Sequence, residues 1–211
     1  MKVCEIFNSI QGEGPKTGRP RTFIRLSGCT RACEWCDTKY HTEGQEMDFK
    51  SIFERIWYPI VWTGGEPLLQ LAQITEFMKE SETYLINPLP HELETNGDLL
   101  ASAGEAILDS FDLIVVSPKD LPHFEWRNWM QSGNVVWKFV TNGGSRTNSQ
   151  IIDFVENYNI DGCRVWLQPL TLPMSNRLNV KQSIWQLCVN EGWNYSPRCH
   201  VDVWGLRKRL V

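Results

Sequence analysis

Several things are missing from this chain, and each absence narrows what it can be. No run of apolar residues approaches the roughly 20 needed to cross a bilayer. The start, Met1-Lys2-Val3-Cys4-Glu5, has no apolar core of the kind that marks a secretory signal. Positive charge is in short supply: 21 Lys and Arg against 25 Asp and Glu leave a net charge of −4, which argues against a general nucleic-acid surface. The basic run Arg207-Lys208-Arg209 is short enough to be a solvated end. No Ser/Gly-rich linker or compositional break divides the 211 residues, so one domain spanning 1–211 is expected. These absences predict a protein of the reducing cytoplasm, with no membrane association and no direct nucleic-acid partner.

Within that frame the cysteines are the first positive signal. There are seven, an odd number, and three of them crowd into Cys29-x3-Cys33-x2-Cys36. Cysteine is usually buried singly as a small hydrophobe, the reading that suits the scattered Cys4, Cys163, Cys188 and Cys199. Three soft thiolates at close spacing select zinc, Cu(I) or an iron–sulfur cluster. Structural zinc wants a fourth protein ligand, and His41 or His200 is the candidate for closing such a site. The paired C-x2-C spacing typical of zinc modules is lacking, however. A cubane cluster on three thiolates leaves one iron open to a substrate, which points to chemistry rather than to a staple.

Six segments read as short strands ending in polar or glycine-rich turns: 22–27, 60–62, 92–95, 113–116, 135–140 and 164–167. Near-continuous apolar runs such as Leu113-Ile114-Val115-Val116 suit strands covered on both faces, hence a parallel sheet under helices. Helical stripes separate several of them: Leu68, Leu71, Ile74, Phe77 and Met78; Ile151, Ile152, Val155 and Tyr158; and Ile184 to Cys188, stopping near Gly192. A shorter helix is expected within 48–57. Six strands are too few for a closed barrel of eight, so the expected fold is α/β, a partial, open TIM-like barrel of about six parallel strands with a reduced set of helices. Asn87-Pro88-Leu89-Pro90 interrupts the approach to the third strand, and 121–132 reads as a short helix or a packed loop. The ten tryptophans, in settings such as Ile56-Trp57-Tyr58, are expected in the core.

The three-cysteine motif after the first predicted strand, followed by Thr63-Gly64-Gly65-Glu66-Pro67 after the second, resembles the radical S-adenosylmethionine (SAM) superfamily. That resemblance implies a 4Fe–4S cluster on Cys29, Cys33 and Cys36, with SAM chelating the fourth iron and yielding a 5′-deoxyadenosyl radical that takes hydrogen from substrate. A narrower resemblance is to the 7-carboxy-7-deazaguanine synthase family. It is carried in order by Glu5-Ile6-Phe7, Ser9-Ile10-Gln11-Gly12-Glu13-Gly14, Arg25, Cys36-Asp37-Thr38, Glu94-Thr95-Asn96-Gly97, Ser117-Pro118-Lys119, Gln168-Pro169-Leu170 and the tail from His200 through Trp204-Gly205 to Val211.

The family likeness implies conversion of 6-carboxy-5,6,7,8-tetrahydropterin to 7-carboxy-7-deazaguanine with loss of ammonia, in deazapurine and queuosine biosynthesis, SAM being regenerated. It implies SAM contacts at Trp35, Cys36, Asp37, Gly65, Glu66, Ser117, Pro118, Lys119, Gln168, Pro169, Leu170 and Thr171. Substrate contacts are implied at Ile10, Gln11, Gly12, Glu13, Arg25, Thr63, His200 and the Val211 carboxylate. Thr38 is implied to share Mg2+ with the substrate carboxylate, which suits a cation that prefers hard oxygens and keeps its waters. A guanidinium such as Arg25 grips a carboxylate through two hydrogen bonds. Residues 1–21 would form a substrate-binding segment, 28–38 the cluster loop and 196–211 a capping tail. A flavodoxin-like external electron donor and a homodimer are implied as well. The alternatives are an activase for a glycyl-radical enzyme, which shares the cluster motif, and a non-enzymatic zinc module.

Overall fold

The computed structural model describes residues 1–36, 38–84, 89–170 and 177–205. Its elements in chain order are β1 (Lys2–Ile10), β2 (Pro20–Leu26), β3 (Gln45–Glu46), α1 (Phe49–Phe53), β4 (Ile60–Gly64), α2 (Leu71–Tyr84), β5 (His91–Thr95), α3 (Leu100–Ala103), β6 (Leu113–Val116), β7 (Val135–Thr141), α4 (Ser145–Asn157), β8 (Val165–Pro169), α5 (Arg177–Glu191), β9 (Asn194–Tyr195) and α6 (Cys199–Trp204). They build one sheet in the order β3-β1-β2-β4-β5-β6-β7-β8-β9. From β2 onward every pairing is parallel, while β1 runs antiparallel to both β2 and β3. All six predicted strands are present, and the partial-barrel expectation holds. The segment 1–21 contains a long strand that the apolar pattern did not reveal, because β1 is half-buried along most of its length.

The period-two alternation of the strands divides their side chains between two interiors. Ile24, Trp62, Leu93, Ile114, Trp137 and Leu167 face outward under the helices and join one continuous apolar core. Their neighbours point to the inside of the curved sheet, where the small cluster of Leu113, Val115 and Val136 forms part of the floor, with Trp166 packed against it. Beside it lies a buried ion pair, Arg21 Nη2 to Glu92 Oε1 at 2.8 Å. Because the strands are parallel, their C-terminal ends gather at one rim, the place where open α/β sheets present polar side chains.

The helices follow the predicted stripes. Asp48 caps α1 by accepting from Ser51 N at 2.7 Å, and α5 stops before Gly192, whose φ is +70°. Residues 121–132 hold two short 3-10 turns, and Phe124, Trp126 and Trp129 pack against the main core. Two expectations need correction. Trp57 is 70% exposed, and Trp35, Trp185 and Trp204 are also on the surface, so the tryptophans divide between core and periphery. Cys163 is exposed, whereas Cys188 is the buried thiol. Asn87 and Pro88 of the proline-containing stretch, and Arg207-Lys208-Arg209, lie outside the described residues.

Candidate active site

The rim of the sheet opens into a cavity of about 1250 Å³. The exit of β2 supplies its first wall. Gly28 (φ +92°) turns the chain out of the strand, and its N–H donates to His41 O at 2.9 Å, closing the loop's base. Cys29, Cys33 and Cys36 all line the cavity. Backbone N–H groups point at two of the sulfurs, Arg31 N to Cys29 Sγ at 3.4 Å and Thr38 N to Cys36 Sγ at 3.3 Å. Such hydrogen bonds are among the features that tune thiolate-held clusters. Among the described residues no group of three Cys, His, Asp or Glu side chains converges as the ligands of a single ion do. Three thiols around one cavity, with amide donors on two of the sulfurs, fit a thiolate-held cluster.

The turn after β4 packs against this loop so tightly that glycine is required. A Cβ on Gly65 would lie 1.8 Å from Gly28 O, and one on Gly64 (φ +127°) 2.3 Å from Leu26 O. Glu66 follows, fully buried. Its Oε1 accepts from Leu68 N (3.1 Å) and Thr95 Oγ1 (2.7 Å), its Oε2 from Asn96 N (2.8 Å), while its own N–H donates to Gly28 O at 2.8 Å. Burial pushes its carboxyl pKa up, against those hydrogen bonds. This carboxylate is engaged in tying the turn after β4 to the end of β5, and Glu66 does not line the cavity.

A polar basket lines the same cavity. Glu94, inward-facing on β5, accepts from Gln11 Nε2 and Thr63 Oγ1, each at 3.0 Å. Glu13 is held between two cations: Lys138 Nζ lies 2.6 Å from Oε2 and Arg198 Nε 2.8 Å from Oε1. Burial alone would raise the Glu13 carboxyl; the charges of Lys138 and Arg198 outweigh it and hold the group well below the usual carboxylate range. His200 packs on Gly12, where an added Cβ would meet its Nδ1 at 2.4 Å. Cys199 N donates to Gly12 O (3.1 Å), and Gly14 N to Ser196 Oγ (2.8 Å), so the segment leading into α6 is sewn to the loop after β1. Arg25 reaches Glu5 Oε2 (Nε, 3.3 Å) and Thr38 Oγ1 (Nη1, 3.0 Å), beside the rings of Phe7 and Tyr40.

Along the third side Lys119 Nζ donates to Ser117 Oγ at 2.7 Å and lies 5.1 Å from the centre of the Trp35 ring. Gln168 and Leu170 complete that wall, with Gln168 Oε1 accepting from Ser196 Oγ at 3.1 Å. The structure thus brings together around one space Ile10 to Glu13, Arg25, the three cysteines, Trp35, Thr38, Thr63, Gly65, Ser117, Lys119, Gln168, Leu170 and His200. Pro118 and Pro169 do not line it. Asp37, Thr171 and Val211 lie outside the described residues. Sequence reasoning did not single out Lys138 and Arg198, nor the Glu94 side chain as a cavity group. Lys138 had a detectable signal, a lysine in the middle of Val136-Trp137-Lys138-Phe139-Val140, where a buried strand tolerates a charge only with a partner.

An open parallel barrel bearing a three-cysteine loop and a glycine-rich turn at its C-terminal rim defines a protein of the radical SAM class. No family model matches the chain. It is 35% identical to 7-carboxy-7-deazaguanine synthase of Hyperthermus butylicus over 222 aligned positions, covering 96% of this chain and 92% of the relative. It is 31% identical to the synthase of Pyrobaculum aerophilum over 220 positions, covering 97% and 95%. The crystal structure of QueE from Escherichia coli shares the fold, with a TM-score of 0.62 over 92% of both chains at 21% identity. The chain belongs to the 7-carboxy-7-deazaguanine synthase family.

Proposed function

We propose that this chain is a radical SAM carbon–nitrogen lyase that converts 6-carboxy-5,6,7,8-tetrahydropterin to 7-carboxy-7-deazaguanine with loss of ammonia. The observation that carries the reading is the single cavity lined both by the three thiols and by the Glu94, Glu13 and Arg25 side chains. Cys29, Cys33 and Cys36 would hold the 4Fe–4S cluster, and Trp35, Gly65, Ser117, Lys119, Gln168 and Leu170 would surround SAM. When bound, that pair supplies the one-electron chemistry that starts hydrogen abstraction from substrate.

The chain's own part is binding, orientation and exclusion of water. A pterin offers amide and amino donors along one edge, and Glu94, fixed by Gln11 and Thr63, presents a carboxylate of matching polarity. The substrate carboxylate falls to Arg25, whose guanidinium is already oriented by Glu5 and Thr38. Thr38, 6% exposed, would share Mg2+ with that carboxylate; a hydroxyl oxygen suits a cation that keeps most of its waters. Thr38→Ala should weaken the Mg2+ dependence of turnover while iron content stays at the wild-type level. An unchanged Mg2+ response removes Thr38 from the metal site.

A cytoplasmic location belongs to the same proposal, because thiols that hold an iron–sulfur cluster need a reducing compartment. Among the described residues no helix is long and apolar enough to cross a membrane. A flavodoxin-like electron donor and a homodimer complete the proposal. Anaerobic incubation of the reconstituted protein with SAM, reductant and the pterin, followed by mass spectrometry, tests the reading.

A further inference from the structure

The cluster loop is anchored by a carboxylate outside the cysteine motif. Between β2 and β3 the described residues form neither helix nor strand, and side-chain contacts add to a few backbone bonds such as Gly28 N to His41 O in holding the loop in shape. Asp98 lies in the turn Asn96-Gly97-Asp98 that follows β5. Its Oδ1 accepts from Arg31 Nε (3.0 Å) and Nη2 (2.8 Å); its Oδ2 accepts from Arg31 Nε (2.7 Å) and Thr30 Oγ1 (2.7 Å). Thr30 and Arg31 are the two residues directly after Cys29. The turn makes a further contact through Asn96, whose Nδ2 donates to Thr30 Oγ1 (2.9 Å) and lies 3.9 Å from Cys29 Sγ. Asn96 Oδ1 in turn accepts from Asp98 N at 2.9 Å.

We propose that Asp98 is a positioning residue for Cys29: by gripping Thr30 and Arg31 it fixes the direction of the Cys29 thiolate and the amide that points at it. The inference rests on the cysteines being cluster ligands. Its physical basis is pre-organisation. A fork-shaped guanidinium–carboxylate pair has a defined plane, and the Asp98 and Arg31 side chains are 20% and 30% exposed, so water competes for them only in part. The Arg31 N–H that donates to Cys29 Sγ belongs to the residue whose side chain Asp98 holds. Losing the clamp frees that amide and the thiolate together. The remaining contact of Arg31, to Asp120 Oδ2 at 3.8 Å, is too long to replace it.

The test uses full-length, anaerobically reconstituted Asp98→Ala, Asp98→Asn and Thr30→Val. Partners that orient metal ligands typically contribute about 10–100-fold to metal affinity. Asp98→Ala should therefore release iron to a ferrous chelator roughly tenfold or more faster than wild type. The electron paramagnetic resonance spectrum of its reduced cluster should be altered. Asp98→Asn, which keeps one acceptor oxygen, should restore part of the loss, and Thr30→Val should shift the release rate in the same direction by less. A circular dichroism spectrum like that of wild type separates these effects from misfolding, and Thr30→Val decides the matter if Asp98→Ala does not fold. Release rates and spectra equal to wild type in the folded variants overturn the clamp. Wild-type protein that takes up no iron and sulfide overturns the cluster reading itself.

Discussion

Lys138→Met tests the energetics of the cavity most sharply. In the folded chain the Lys138 ammonium lies 2.6 Å from Glu13, with the two side chains 8% and 15% exposed. At an effective dielectric of about 20 the gross attraction is about 6 kcal/mol, offset by several kcal/mol of desolvation for each ion. The net value of the pair is therefore small, but breaking it is costly, because the carboxylate stays buried. Removing one partner of such a pair typically costs about 3–5 kcal/mol. Arg198 still holds the other Glu13 oxygen at 2.8 Å, which places Lys138→Met at the low end, about 3 kcal/mol. Urea unfolding at pH 7.5 measures the loss. The decisive construction is the double variant Lys138→Met with Glu13→Gln. Because Glu13→Gln also takes the carboxylate from Arg198, the double variant is compared with the sum of the two single losses, which it should fall short of by about 2 kcal/mol, a coupling that additive sites do not show. Losses that simply add would refute the account of Glu13 as a carboxylate that Lys138 keeps charged.

His91 gives a pH signature. Burial, partly opposed by Asp112, lowers its pKa to about 4, and Trp62 Nε1 donates to its Nδ1 at 3.0 Å, so protonation would set two N–H groups against each other. The unfolded chain binds a proton below about pH 6.5 and the folded chain does not until about pH 4, so stability rises with pH across that window and is fully present above it. Between pH 7.5 and 5 wild type should lose about 2 kcal/mol from this ring, and His91→Gln should flatten the dependence in urea titrations; equal slopes would remove His91 as the cause. Gly65→Ala, whose methyl would lie 1.8 Å from Gly28 O, should displace the cluster loop and cut the iron content of reconstituted protein several-fold; iron and sulfide analysis reads this directly.

The parallel strands were legible because each apolar run ends in a turn signal, as Leu113 to Val116 does before Ser117-Pro118. β1 was not, because it lies half-buried along most of its length as an antiparallel addition to the sheet, and β9 is too short to leave a pattern. The cysteines and the glycine-rich turn were legible as motifs, since their spacing is local. What each motif residue touches was not. Glu66 sits among the predicted SAM contacts, yet its carboxylate is engaged by Leu68, Thr95 and Asn96 beneath the cavity. Glu13 was found through its glycine-flanked signature, but its partners Lys138 and Arg198 stand 125 and 185 residues away, a pairing that only the folded sheet creates.

Turnover of the pterin tests the central claim most directly. Under anaerobic conditions, with the 4Fe–4S cluster reconstituted and SAM and a reductant supplied, mass spectrometry should detect 7-carboxy-7-deazaguanine formed from 6-carboxy-5,6,7,8-tetrahydropterin, accompanied by ammonia. A fully loaded cluster that leaves the pterin unchanged would contradict the account.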